Sequence, residues 1–235
     1  MHSSLVTIIM PVKNGEPYLS ESIQSILDQD YPSIEIIVVD GQSSDNTKQI
    51  AESYKNVRYV YQQQNPGIPQ AKNIGIQMAL GEFIGFASHD DLWAPNKLSR
   101  QLKYMERNNV DYTITRVKYF LQPGSSVRPG FNKDLLEGDY VGKMPETLLA
   151  RRSVFDRIGI FNTEFTYMED IDWFNRAALN QIPMGVIEEV LLFKRVHDNN
   201  VSYDPSKINR INREILFLLK KSIDRNSQFN KESSN

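Results

Sequence analysis

The sequence predicts an α/β fold: a doubly wound, mostly parallel sheet with flanking helices. Three observations carry this. Short runs of aliphatic and β-branched residues alternate with segments whose apolar positions recur every three or four residues. The runs are apolar without alternation, as strands covered by helices on both faces must be. Several of them end in polar or acidic turns, and open α/β sheets bind ligands beyond the carboxyl ends of their strands.

Leu5–Met10 (LVTIIM) reads as the first strand, ended by Pro11 and the turn Lys13-Asn14-Gly15. It is too short, and lacks the basic flank, for a secretory leader. Leu19, Ile23, Ile26 and Leu27 then line one side of a helix. Ile34–Val39 is the second strand and runs into Asp40; Asp45 is placed to cap a helix over Thr47–Tyr54. Val57–Tyr61 is the third, followed by an Asn65-Pro66-Gly67 loop and a helix with Pro69 in its first turn. Phe83–Ala87 is the fourth, and Ser88, His89, Asp90 and Asp91 follow it. Right-handed crossovers gather Val12–Asn14, Asp40 and Ser88–Asp91 at one crevice.

Further on, a helix from Pro95 carries Leu98, Leu102 and Met105, and Asp111–Phe120 reads as a strand. Residues 121–144 show no period and read as a long functional or mobile loop. Arg152–Ile158 is a short helix closed by Gly159, Glu169-Asp170 opens another, and Met184–Val196 is a strand. Ser206–Arg225 reads as a basic amphipathic helix with Ile208, Ile211, Ile215, Leu218 and Leu219 on one face, ahead of a polar tail.

Composition narrows the function. A net charge of −2 over 235 residues argues against a general nucleic-acid binder. The absence of cysteine removes thiolate metal sites, disulfides and a cysteine nucleophile, and fits a cytoplasmic protein. No run approaches the ~20 apolar residues of a membrane span. The adjacent carboxylates of Asp90 and Asp91 at a strand end suit a hard divalent cation, Mg2+ or Mn2+, holding a diphosphate. Read without a ligand, the same pair is a turn and the N-cap region of the next helix.

Five segments in order, TIIMPVKN (7–14), VVDGQSSDNT (38–47), NPGIPQAKNIGI (65–76), FIGFASHDDLW (83–93) and MEDIDWFNRA (168–177), together resemble the glycosyltransferase family 2 enzymes of GT-A fold, a Rossmann-like architecture. The resemblance covers about residues 5–200. It implies a GT-A domain over 1–205, with a nucleotide-binding half at about 1–93 and an acceptor-side half at about 94–205. Residues 206–235 form a C-terminal amphipathic helix and tail. It further implies a nucleotide-sugar donor, a saccharide or lipid-linked acceptor hydroxyl, and inversion at the anomeric carbon.

Carried over residue by residue, the resemblance places Pro11, Val12 and Asn14 at the base and Asp40 on the base or ribose. Lys72 stands toward the diphosphate, where many members have arginine, and a lysine there acts as a point charge without bidentate geometry. The family's Asp-x-Asp falls on Ser88-His89-Asp90. Serine replaces the first acid, which leaves Asp90 as the nucleotide and metal residue with Asp91 and His197 as further metal ligands. Glu169-Asp170 resembles the family's acidic pair, with Asp170 the general base and Glu169 beside it. Arg195 is a further candidate for the phosphates, and Trp93 and Trp173 for a sugar face. The basic helix at 206–225 suits peripheral attachment to the inner face of a membrane, or a homodimer contact. The competing expectations are a sugar-1-phosphate nucleotidyltransferase and a non-catalytic nucleotide-binding module.

Overall fold

A computed structural model describes residues 4–64, 67–127, 131–198, 200, 209–218 and 220. The expected Asn65-Pro66 turn, Ile208, Leu219 and the polar tail lie outside the described residues. The strands β1 (Val6–Val12), β2 (Ile34–Asp40), β3 (Val57–Tyr61) and β4 (Phe83–Phe86) alternate with helices α1 (Leu19–Leu27), α2 (Thr47–Glu52) and α3 (Ile68–Met78). They pair in parallel in the order β3-β2-β1-β4, with β1 between β2 and β4. Consecutive residues of the buried central strand serve opposite layers. Ile8 and Met10 pack with Leu19, Ile23 and Ile26 of α1, whereas Ile9 joins Ile84, Phe86 and Trp173 on the other side.

Pro11 does not end β1, contrary to expectation, because it falls where it costs no hydrogen bond. Ile9 accepts from Ala87 on the β4 side and Val12 accepts from Gly41 on the β2 side. By alternation the nitrogen of Pro11 faces β4 beyond that strand's last residue, so the missing donor has no partner to lose. Gly75 of α3 lies so close to β1 that an added Cβ would overlap the Ile9 side chain.

The second half of the chain supplies β5 (Leu92–Trp93), α4 (Lys97–Asn108), β6 (Tyr112–Leu121), β7 (Asp139–Val141), β8 (Leu149–Arg151), α5 (Arg152–Ile158), α6 (Glu169–Leu179) and β9 (Met184–Val196). Here the sheet becomes mixed. β8 sits antiparallel between β4 and β6, β6 and β9 are parallel, and β5 and β7 pair antiparallel with β9 and β6. The stretch expected as a structureless loop over 121–144 instead contains a 3-10 turn, Lys133–Leu136, and β7. Trp93 and Trp173, offered above as sugar platforms, are buried in the core. In the helix over 209–218 Glu214 is buried; of the expected apolar face Ile211 and Leu218 are half-buried and Ile215 is exposed.

Candidate functional site

A cavity of about 640 Å³ opens at the carboxyl ends of the parallel strands. Pro11, Val12 and Asn14 line it from the end of β1, Gly41 and Gln62 from β2 and β3, and Ser88, His89 and Asp90 from β4. Lys72, Glu146, Lys194, His197 and Asn200 complete the wall. The crossover topology thus brings residues from both halves of the chain to one place.

On the first wall the turn after β1 is set by Asn14, whose φ of 53° is left-handed, a conformation asparagine tolerates. Its side-chain oxygen accepts from the Ser44 N–H at 2.9 Å, and its own N–H donates to Ser43 at 2.8 Å. Asp45 receives the N–H of Thr47 at 3.1 Å and that of Glu16 at 3.0 Å, so it ties the start of α2 to the same turn. Asp40 lies beneath this surface. Its Oδ1 accepts from the N–H and hydroxyl of Ser43, at 2.9 and 2.6 Å, and its Oδ2 accepts from the Tyr59 hydroxyl at 2.8 Å. With both oxygens engaged and 1% exposed, Asp40 shapes the loop behind the wall and stands off the lining where a base contact was expected.

The two acids after β4 have separate fates. Asp90 faces the cavity: its Oδ2 lies 3.1 Å from His197 Nε2 and 3.2 Å from the Asn200 amide, and Ser88 donates to its other oxygen. Burial acts to raise its pKa, but the hydrogen bond from His197 and the charges of His89 and Lys194 hold it well below the usual carboxylate range. Asp91 turns the other way. It accepts from the Arg195 N–H at 2.9 Å and pairs with Lys194 Nζ at 3.0 Å, while its carbonyl accepts from the Ser22 hydroxyl. Burial acts to lower Lys194, yet Asp91, Glu146 and Asp90 hold it well above the ordinary lysine range. The expectation of Asp91 as a metal ligand is therefore corrected. Asp91 lies off the cavity lining with its charge already matched by Lys194, whereas Asp90 stands on the lining.

Asp90 and His197 fit a divalent cation of the type expected. A carboxylate oxygen and an imidazole nitrogen stand within one ion's reach on the cavity wall. Among the described residues no cluster of three or more such side chains forms a cage. A two-residue donor set suits Mg2+ or Mn2+, which keep several positions for water and substrate phosphate oxygens. The ring of Tyr18 packs at 4.6 Å from that of His197 and fixes its plane. Arg195, suggested for the phosphates, is instead spent on structure. It donates to the Asp90 carbonyl at 2.8 Å and to Glu21 at 2.6 Å.

Across the cavity, Lys72 of α3 donates to Glu169 Oε1 at 2.9 Å, with both side chains almost fully buried. Burial acts to lower Lys72, but Glu169, Glu146 and Asp170 keep it above the ordinary value. Glu169 and Asp170 stand behind Lys72 at the start of α6, off the lining itself. Burial pushes the Asp170 carboxyl up to about 6, against the pull of Lys72 and with the push of Glu169. Sequence reasoning missed Glu146, Lys194 and Gln62. Glu146 sits in a 3-10 turn, Pro145–Thr147, and projects charge onto Lys72, Asp170 and Lys194. Both amide atoms of Gln62 are buried with no hydrogen-bond partner. No local pattern marks these three; Lys194 shares its strand with Glu188, Glu189 and Arg195 and does not stand out among them.

Residues 7–173 match the family described as Glycosyl transferase family 2. An uncharacterized glycosyltransferase of Rickettsia typhi is 34% identical over 214 residues, which span 84% of this chain and 65% of the relative. TuaG of Bacillus subtilis, named as a candidate teichuronic acid biosynthesis glycosyltransferase, is 32% identical over 125 residues, 52% of this chain and 50% of that one. The chain thus spans about two thirds or less of these curated relatives. Among solved structures, residues 1–349 of S. aureus TarS in complex with UDP align with a TM-score of 0.67 at 25% identity, covering 82% of this chain and 60% of that one. The mannosyltransferase PcManGT of Pyrobaculum calidifontis, solved with GDP-Man and Mn2+, has the same fold at TM-score 0.66 and 22% identity, covering 89% and 61%.

Proposed function

The chain belongs to glycosyl transferase family 2, and on that premise we propose that it moves a sugar from a nucleotide-sugar donor to a saccharide or lipid-linked hydroxyl, with inversion and with help from a divalent cation. One observation carries this reading. A single cavity at the strand ends has Asp90 and His197 on one wall and Lys72, backed by Asp170, on the other. The similarity to a structure solved with UDP makes a nucleoside diphosphate the first ligand to test, and TuaG points to polysaccharide biosynthesis.

In this reading Pro11, Val12 and Asn14 take the nucleoside. Lys72 spends one of its three N–H donors on Glu169 and keeps the others for the diphosphate. Asp90 and His197 would hold a divalent cation, which would supply Lewis-acid stabilisation of the negative charge on the leaving diphosphate. Asp170 takes the proton from the acceptor hydroxyl as its oxygen bonds to the anomeric carbon. The bond from that carbon to the diphosphate breaks on the opposite face, and its electron pair leaves with the nucleoside diphosphate. A carboxyl raised toward neutrality is a better base than an ordinary aspartate. No helix among the described residues is long and apolar enough to cross a membrane. Peripheral attachment through the exposed Arg210, Arg213 and Leu216 is checked by co-sedimentation with anionic vesicles.

The deciding experiment is a thermal-shift series with UDP, GDP and dTDP, with and without Mn2+. One diphosphate at a hundredfold excess over its dissociation constant adds ~2.7 kcal/mol to the wild type. Most of that gain disappears with a chelator or in Asp90→Asn. A chain indifferent to every nucleotide has no donor site, and the proposal ends there.

A further inference from the structure

The family match stops at residue 173, yet a residue well beyond it holds the start of the helix that carries the acidic pair. Glu214, on the helix over 209–218, is buried. Its carboxylate accepts three successive backbone N–H groups: Thr166 at 3.0 Å, Tyr167 at 2.9 Å and Met168 at 3.2 Å. Met168 is the N-cap of α6, and Glu169 and Asp170 are its first two residues. Arg210 backs this contact. It donates to Glu214 at 3.3 Å and also bonds the Thr166 hydroxyl. Phe217, from the next turn, packs on Phe165 with ring centroids 5.6 Å apart.

We propose that Glu214 is a positioning residue for the transfer step: it fixes the 165–168 loop, and through it the place of Asp170, so the C-terminal helix belongs to the catalytic unit. The physical reason is the number of donors served by one group. Three consecutive N–H groups form a concave anion site, and a carboxylate in it makes charge-assisted bonds, the stronger kind. Without that charge the three donors must turn to water, and the chain then enters α6 along a different path. A base displaced by an ångström loses much of its effect on the chemical step while substrate binding survives. The acidic pair is held from its other side by Lys72, so Glu169 and Asp170 lie between two fixed points contributed by α3 and the C-terminal helix.

This inference rests on the reading of Asp170 as base, and its test separates the two. In the full chain, Glu214→Gln keeps size and one acceptor but loses the charge and turns an N–H2 toward the loop. Hydrogen exchange at Thr166–Met168 becomes faster, kcat falls roughly tenfold to a hundredfold, and both the donor KM and the UDP affinity stay at wild-type values. Asn212→Ser, on the exposed side of the same helix, changes none of these. Faster exchange with unaltered kcat would leave Glu214 a loop clamp with no part in positioning, and an equal loss in kcat and UDP affinity would point to general damage. Both overturn the proposal. A wild-type chain that binds UDP but transfers nothing sinks the enzymatic reading, and the positioning role with it, while the exchange data still report on the clamp itself.

Discussion

In the proposed reaction Asp170 is the residue on which the chemistry turns, and its pH behaviour has a definite sign. Its carboxyl is raised from 3.8 to about 6 by burial, opposed by Lys72 and assisted by Glu169. A general base must be deprotonated, so kcat/KM rises with pH and levels off above about 6. Stability runs the other way. The folded chain holds this proton more tightly than the unfolded one, so the contribution present below pH 3.8 is lost as the pH climbs through about 6. Asp170→Asn is expected to lower kcat by ~10²-fold or more and to keep nucleoside diphosphate affinity; calorimetry beside steady-state rates checks both. Gln62 gives a second prediction at this scale. Its amide is buried and unpaired on the cavity side, so Gln62→Met raises stability by ~1 kcal/mol, read as a higher denaturant midpoint. An unchanged or lower midpoint means that the amide is paired in solution. The sequence showed which acids were present but not where each one turns. Asp90 and Asp91 are neighbours in an identical local context, and only the distant Lys194 and His197 decide that one faces the cavity and the other the core.

At the scale of elements, long periodic segments were legible and short ones were not. The parallel strands, α1, α3 and α6 have the runs and helical repeats expected of them, because burial on two faces or one stripe writes itself into composition. β5, β7 and β8 are two or three residues long, and a span that short carries no period; it is strand only because a neighbour offers hydrogen bonds. α4 hides a further feature. Lys97, in its first turn, is wholly buried, donates to Gln101 Oε1 at 2.7 Å and sits 3.9 Å from the centre of the Trp93 ring. Burial pushes its pKa down from 10.5 to about 7, with Glu146 opposing. Between those two values the unfolded chain binds a proton that the folded chain has released, so stability increases with pH across that window. Denaturant midpoints at pH 7 and 9 should show the rise in the wild type and a flatter line in Lys97→Met. The slope is the proper comparison, because the variant also orphans Gln101 Oε1, at a cost of about 1–3 kcal/mol. Equal slopes would remove Lys97 as the source.

For the whole molecule, the question is what makes two halves of unlike sheet architecture act as one body around the cavity. Buried ion pairs cross between them at two places. Lys72 of α3 reaches Glu169 of α6, and Lys194 of β9 reaches Asp91 beyond β4. Both pairs lie beside the cavity rather than on the outer surface, so the desolvation they incur is spent where geometry matters for a ligand. Removing one partner of such a pair strands the other charge in the interior. Lys194→Met is therefore expected to cost about 3–5 kcal/mol. Neutralising both members should recover most of it, because a buried pair is worth little against uncharged groups of similar shape. Urea unfolding of the wild type, Lys194→Met, Asp91→Asn and the double variant measures this as a cycle. The expected coupling is large, and the double variant should lie nearer the wild type than Lys194→Met does. Additive losses would mean that the pair does not act as a unit.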